Sequence, residues 1–281
     1  MALTNFIPGI WSETLAEELD KKYIAVRHCN RDFEGDIKSK GSAVKICEVG
    51  DISVFDYTKN TDMSAPEELT DSMRILYIDR AKAFNFQIDD VEKAQAVPRV
   101  MQSAMKKAAS ALANEADKYI FSLADSPDAN NVLSVASTSS DSVLDAFMAA
   151  RTRFYNNNVY DADDMVFEVS PEIAEYILKG KLELATNNGE LLNTGCIGSL
   201  FGTKVYVSNN ISKTSDEEAG TVSHKCIART KRAVAFAEQL SEIEAYRPEK
   251  RFADAVKGLH LYGAKIVYPN EFLVMNFTVA S

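Results

Sequence analysis

The sequence is short of the residues most catalytic chemistry uses. Histidine occurs three times, as His28, His224 and His260, each in a different stretch, so a histidine base or a zinc site would need distant segments to converge. The four cysteines, Cys29, Cys47, Cys196 and Cys226, form no C-x-x-C pair, which removes the usual zinc and redox motifs. At 281 residues the chain has enough apolar material to build a core without disulfide staples. A basic excess is also missing: 31 Lys and Arg against 41 Asp and Glu leave a net charge of -10, the opposite of what tight neutralisation of phosphates requires. No apolar run reads as a membrane span, and MALTNFIPGIWSETLAEELDKK lacks a basic start followed by an apolar stretch. The expectation is a reduced, cytosolically synthesised protein with no membrane partner. Neither an internal repeat nor a low-complexity tract interrupts the chain.

What is present is a succession of different textures. Over 13–24, Leu15, Leu19 and Tyr23 share a helical stripe with Ala16 and Ile24 one step over. The polar, turn-rich RHCNRDFEGDIKSKG follows. With so little apolar content, this region reads as an arm ordered by lying on something else. SAVKICEV and ISVFDY are strand-like, and after the polar TKNTDMSAPEELTDS the extended texture resumes in RILYIDRAKAFNFQID, where Phe84, Phe86 and Ile88 alternate with polar neighbours. The pattern predicts a long hairpin whose tip has no core to join and therefore meets a partner chain.

The segment 98–124 carries Met101, Met105, Ala108, Leu112, Ala116, Tyr119, Ile120 and Leu123 at helical spacing, with Pro98 tolerated in the first turn. At about 1.5 Å per residue it spans roughly 40 Å, long enough to act as a spine. A second helix is expected to open at Ser142 with a Ser-x-x-Asp cap, to carry Val143, Phe147 and Phe154 on one face, and to stop at NNN. The stretch 164–169 reads as a buried strand, Ser170-Pro171 as a helix start, and Gly180 as that helix's left-handed stop. GELLNTGCIGSLFGTKVYVSNNIS reads as a loop bent by Gly195, Gly198 and Gly202, then a strand through Val205 and Val207. The last fifth is mainly sheet.

No motif supports catalysis. Neighbours on an extended chain point to opposite faces, so His28-Cys29 is not read as a couple. The cluster Gly195, Gly198, Gly202, Thr203, Lys204 fits neither phosphate-loop pattern and precedes a strand where those motifs open a helix. Ser199 lacks the spacing of a nucleophile elbow. Asp161, Asp163 and Asp164 read as a solvated turn without the other ligands of a calcium loop, and the Met101/Met105 stripe as helix packing. No catalytic, cofactor-binding or metal-binding residue is assigned, and no cofactor is expected.

The order of parts is more informative. Hairpin, long helix, the glycine turn GCIGSLFGTKVYVSNN and the ending GLHLYGAKIVYPNEFLVM together resemble the major capsid proteins of tailed bacteriophages with the Hong Kong 97 fold, over nearly the whole chain. The resemblance implies an α+β fold with an N-terminal arm (1–42) that lies across another subunit, an E-loop (43–83), a peripheral domain (84–126 and 239–265) that holds the spine helix, and an axial domain (127–238 and 266–281). It implies self-assembly through hexamers and pentamers into an icosahedral head around double-stranded DNA, bound without sequence specificity. A separate scaffolding protein, a portal and decoration proteins would be partners, with assembly in the bacterial cytoplasm and a final place in the virion. Some relatives cross-link through a lysine on the E-loop and an asparagine; Lys59 and Asn60 lie on the hairpin, but nothing local supports that chemistry. An encapsulin-like nanocompartment shell is the nearest alternative, and a cytosolic α/β enzyme a more distant one.

Overall fold

Alternating apolar and polar residues make most of the strands, and helical stripes the layers that cover them. A computed structural model describes residues 8–33, 43–49, 56, 59, 71–89, 100–159, 164–179, 196–216, 220–250 and 252–280. In chain order the elements are α1 (Pro8–Lys22), β1 (Ala43–Val49), β2 (Asp71–Tyr77), β3 (Arg80–Asp89), α2 (Val100–Ser122), β4 (Val132–Val135), α3 (Ser140–Asn156), β5 (Met165–Val169), α4 (Pro171–Lys179), β6 (Cys196–Leu200), β7 (Thr203–Val207), β8 (Lys213–Asp216), β9 (Thr221–Thr230), β10 (Val234–Tyr246), β11 (Ala253–Ile266) and β12 (Phe272–Ala280).

The spine helix α2 has 23 residues, about 35 Å of helix. It buries Met105, Leu112, Ala116 and Ile120 as the stripe predicts. These side chains pack with Phe236, Val256 and Tyr262 of a three-stranded antiparallel sheet ordered β10-β11-β3. Phe84 and Phe86 of β3 close over the same cluster, while Asn85 and Gln87 face outward. That is the period of two read from the sequence.

A larger mixed sheet runs β4-β12-β9-β5-β7-β6, with β8 pairing against β9. Both of its faces are covered. Cys226, Ala228, Leu273, Met275 and Phe277 point to a core shared with α3 and α4, whereas Ile227, Phe272 and Val274 point to the core under α2. Double coverage explains why every residue of β5 is buried. Helix α3 begins earlier than its sequence suggests: Ser139 is the cap, exchanging hydrogen bonds with Ser142 in a capping box, because Ser142 is the partner within the helix and not the cap. Ser170 caps α4, its hydroxyl accepting from the Ile173 amide at 3.4 Å. The expected stop at Gly180 and the bend at Gly195 lie outside the described residues.

Two expectations are corrected. CIGSL is a strand: β6 pairs antiparallel with β7 across Phe201 and Gly202, both at positive φ (52° and 83°), the geometry of a type I′ hairpin turn. The second correction concerns the arm. Within it, Leu15, Leu19, Tyr23, Ala25, Val26 and Cys29 are buried against α2 in the chain's own core, so 15–29 has an intrachain partner instead of lying across a neighbour. Helical spacing identifies an apolar stripe but not which chain covers it.

The expected hairpin is present as β1–β2, antiparallel with Ala43 opposite Tyr77 through Val49 opposite Asp71, so that Asp71 and Ser72, read as part of the polar connection, belong to the strand. One face seats Val44, Ile46 and Leu76 on Ala235, Ala237 and Leu261 of the three-stranded sheet. The close approach depends on Gly263, where a methyl group would overlap the Tyr77 carbonyl. Backbone does not yield as a side-chain tip does, so Gly263→Ala should cost about 2 kcal/mol or more in urea unfolding. Unchanged stability would show that the hairpin sits off the sheet.

Candidate functional site

The residues that hold the layers together converge on the turn after α1. Residues 24–30 leave the helix in a tight 3-10 bend, and their polar backbone groups lie inside the protein. From α2, Asp117 accepts hydrogen bonds from the amides of Ile24, Ala25 and Val26 at 3.0, 3.0 and 3.1 Å. From β9, Arg229 donates to the carbonyls of Ala25 and His28 at 2.7 and 2.6 Å and to the Cys29 sulfur at 3.2 Å. Arg229 is itself held by a two-pronged ion pair to Glu168 of β5, at 2.9 and 2.7 Å. Both partners are 0% exposed. Asn30 then joins the sheet, its amide donating to Val234 and its carbonyl accepting from Phe236, both at 2.8 Å.

Strand alternation places these charges. Phe167 and Val169 face α3 and α4, so Glu168 faces the opposite way, as do Ile227 and Arg229 on the adjacent strand. Burial disfavours the Arg229 charge, but Cys29 and Glu168 beside it outweigh that and raise its pKa. Burial pushes Asp117 up to about 6 against the three amides that pull it down. A second knot lies nearby. His260 Nε2 sits 2.7 Å from Glu238, the Tyr23 hydroxyl donates to the same carboxylate, and Arg31 bridges Glu238 and Asp20 at 2.7 Å each.

The residues weighed from sequence are spread across the fold. The His28 ring packs on Tyr206, centroids 4.2 Å apart, and burial together with Arg229 lowers its pKa to about 3. The Cys29 thiol points instead to Ala25 and Arg229, and burial raises it to about 11. Neither is poised as base or nucleophile. His224 stands 3.7 Å from Glu172, and burial raises Cys226 to about 12. Ser199 lies on β6, and Lys204 opens outward from β7. Asp164 faces solvent, its carbonyl accepting from the Lys231 amide at 3.1 Å; Asp161, Asp163 and Asn60 lie outside the described residues, and Lys59 is exposed. Among the described residues no group of three His, Cys, Asp or Glu is placed to hold a metal ion, and no helix is long and apolar enough to cross a membrane.

The arrangement therefore fixes surfaces in place. The outward face of β1–β2 carries Met73 and Tyr77, 51% and 57% exposed. A family model described as phage capsid protein matches residues 77–274. The chain belongs to the phage capsid protein family. A solved chain from Mycobacterium phage Che8 is 27% identical over 90% of both chains, with a TM-score of 0.66. The capsid of Ralstonia phage GP4 gives a TM-score of 0.72 at 14% identity, over 90% of this chain and 87% of that one. A virus-like particle from Pyrococcus furiosus gives 0.57 at 12%, over 95% and 98%. No curated protein sequence matches the chain.

The α+β architecture is thus that of a phage capsid protein, a structural protein of the virion. Its buried junction was missed from sequence, although a signal exists: Asp117 lies on the apolar face of α2, Glu168 interrupts the otherwise apolar β5, and Arg229 follows the short apolar run Cys226–Ala228 of β9. Removing one partner of a buried pair leaves the other charge stranded. Arg229→Met should therefore destabilise the capsid protein by about 3–5 kcal/mol in urea unfolding. Adding Glu168→Leu should not restore wild-type stability, because the His28 carbonyl loses its donor and Ala25 keeps only its bond within the turn; full restoration would contradict the clamp.

Acid acts on the two flanking groups with opposite sign. Unfolded His28 takes up its proton near 6.5 and folded His28 only near 3, so its contribution is lost as pH falls through that window. Asp117 protonates near 6 when folded and 3.8 when unfolded, so it gains stability as pH falls from 6 towards 3.8. Each slope is at most about 1.4 kcal/mol per pH unit. Between pH 7 and 4, His28→Gln should lose less stability than wild type and Asp117→Asn more, as read by paired denaturant melts. Parallel losses in all three would refute the assignment.

Proposed function

We propose that many copies of this capsid protein close into the icosahedral head of a tailed phage, through hexamers and pentamers, around double-stranded DNA held without sequence-specific contacts. Assembly takes place in the bacterial cytoplasm with a separate scaffolding protein and a portal, and decoration proteins bind the finished shell. The observation that carries this reading is the hairpin β1–β2. One face is seated on the chain's own sheet while the other leaves Met73 and Tyr77 in solvent, at the base of the connection 50–70. An open two-stranded edge with exposed apolar side chains is a liability for a lone monomer and an asset in a shell, where a neighbour covers it.

The domain reading assigns β1–β2 to the E-loop (43–83), α2 with most of the three-stranded sheet to the peripheral domain (84–126 and 239–265), and the larger sheet with α3 and α4 to the axial domain (127–238 and 266–281). Two stretches cross these bounds: Arg80–Ala83 of β3 pair with β11 in the three-stranded sheet, and β10 begins at Val234, before the boundary at 238/239. The N-terminal region (1–42) is divided, its stretch 15–31 belonging to the body of the subunit.

Light scattering after size-exclusion chromatography, with negative-stain imaging, tests the shell. Wild type should form closed particles or capsomer rings, whereas replacing 50–70 by a short Gly-Ser turn should leave a folded subunit that does not assemble. Normal particles from that variant would remove the hairpin from the interface. Deleting 1–28 is a different test: it strips α1 and the clamped turn from the core and should unfold the subunit. Nucleic acid inside the particles supports a phage head; a protein cargo would support the nanocompartment reading.

A further inference from the structure

On a chain of net charge -10, cationic side chains gather at one place beside the clamped turn. Arg27, Arg31, Lys231 and Arg232 line a cavity of about 310 Å³, with Asp32 and Asp164 as its carboxylates. Lys204 stands close by, since on β7 it shares a face with Tyr206, whose ring packs on His28. Three chain segments supply the charges: the bend after α1, the start of β7, and the 3-10 turn following β9.

Two of the five cations are already satisfied. Arg31 is paired with Asp20 and Glu238, and Arg232 with Glu271. Among the described residues Arg27 hydrogen-bonds to the Asp20 backbone carbonyl alone, at 3.1 Å. Among the described residues, neither Lys204 nor Lys231 makes an ion pair. The clamp holds these groups together, since Arg27 lies between the amides gripped by Asp117 and the carbonyl gripped by Arg229.

We propose that this patch receives a carboxylate-bearing segment of a second copy of the chain, held by Arg27, Lys204 and Lys231; the proposal rests on the shell reading and names one of its contacts. Charge complementarity selects the occupant. Copies that each carry 41 acidic residues repel one another unless their contacts match opposite charges locally. The cavity is compact, suited to one or two carboxylate heads rather than the continuous track of a phosphate backbone. Asp32 and Asp164 line the same cavity and offset two of the three unpaired cations, so the net charge left over suits one carboxylate and not a polyphosphate. Arg27 adds a planar fork that matches a carboxylate.

The test mixes ¹⁵N-labelled and unlabelled full-length chains in equal amounts, lets them associate, and adds a water-soluble carbodiimide. The reagent activates a carboxylate; a lysine Nζ then attacks, forming an amide as the urea by-product leaves. Lys204 or Lys231 should appear in cross-linked peptides of mixed isotope content, which identifies them as intermolecular. The double variant K204E/K231E changes two exposed side chains, so it should melt like wild type yet need roughly tenfold more protein to assemble at low salt. Shells that form at the wild-type concentration, with both lysines linked only within a chain or not at all, would overturn the patch and leave the shell reading intact. A wild-type chain that stays monomeric would overturn the shell reading and this occupant with it. Variant shells that assemble normally but lose bound nucleic acid would overturn the proposal in favour of a phosphate partner.

Discussion

The structure turns on four backbone groups that would otherwise be buried without partners. Where the chain leaves α1 it must bend sharply and pass beneath the spine helix, which takes the amides of 24–26 and the carbonyl of His28 out of water. Each would cost about 1–3 kcal/mol if left unpaired. Helix and sheet ladders cannot serve a segment that is neither, so side chains must. Three buried charges do it: Asp117 for the amides, Arg229 for the His28 carbonyl and as a second donor to Ala25, and Glu168 to make the Arg229 charge tolerable.

The choice of charged groups has a geometric consequence. A bidentate guanidinium–carboxylate pair fixes both partners in plane and direction, and here it spans two adjacent strands while its free edge reaches the turn. The N-terminal segment, the spine helix and the large sheet are thereby locked in one relative placement. Apolar packing of similar area would hold them together with less directional definition. For a subunit whose edges must meet many copies of itself, orientation matters as much as stability.

The pattern of what was legible in sequence follows from the range of the forces. Local signals were clear: α2 from its stripe, β5 from its apolar run, α4 from Ser170-Pro171, and β3 from the alternation of Phe84 and Phe86. Errors were of two kinds. Competing local signals misplaced the cap of α3, because Ser139, Ser142 and Asp145 all fit a capping pattern and only the helix geometry chooses between them. Non-local contacts hid the rest: the α1 stripe showed that 15–23 would be covered but not that α2 would cover it. Glu168 and Arg229 are 61 residues apart, and pairing across adjacent strands cannot be read from either strand alone.

The same distinction separates what this subunit completes internally from what it leaves open. The spine-helix and large-sheet cores close within one chain, down to the polar groups of the N-terminal turn. The hairpin does not close: Val44, Ile46 and Leu76 find the chain's own sheet while Met73 and Tyr77 find solvent. Alternation makes that outcome unavoidable, since a two-stranded ribbon lying on a sheet presents its second face to whatever is outside. A junction whose buried backbone groups are paired, beside a half-covered ribbon, is a division of labour: one region sets the orientation of the subunit, and the other leaves an apolar face open.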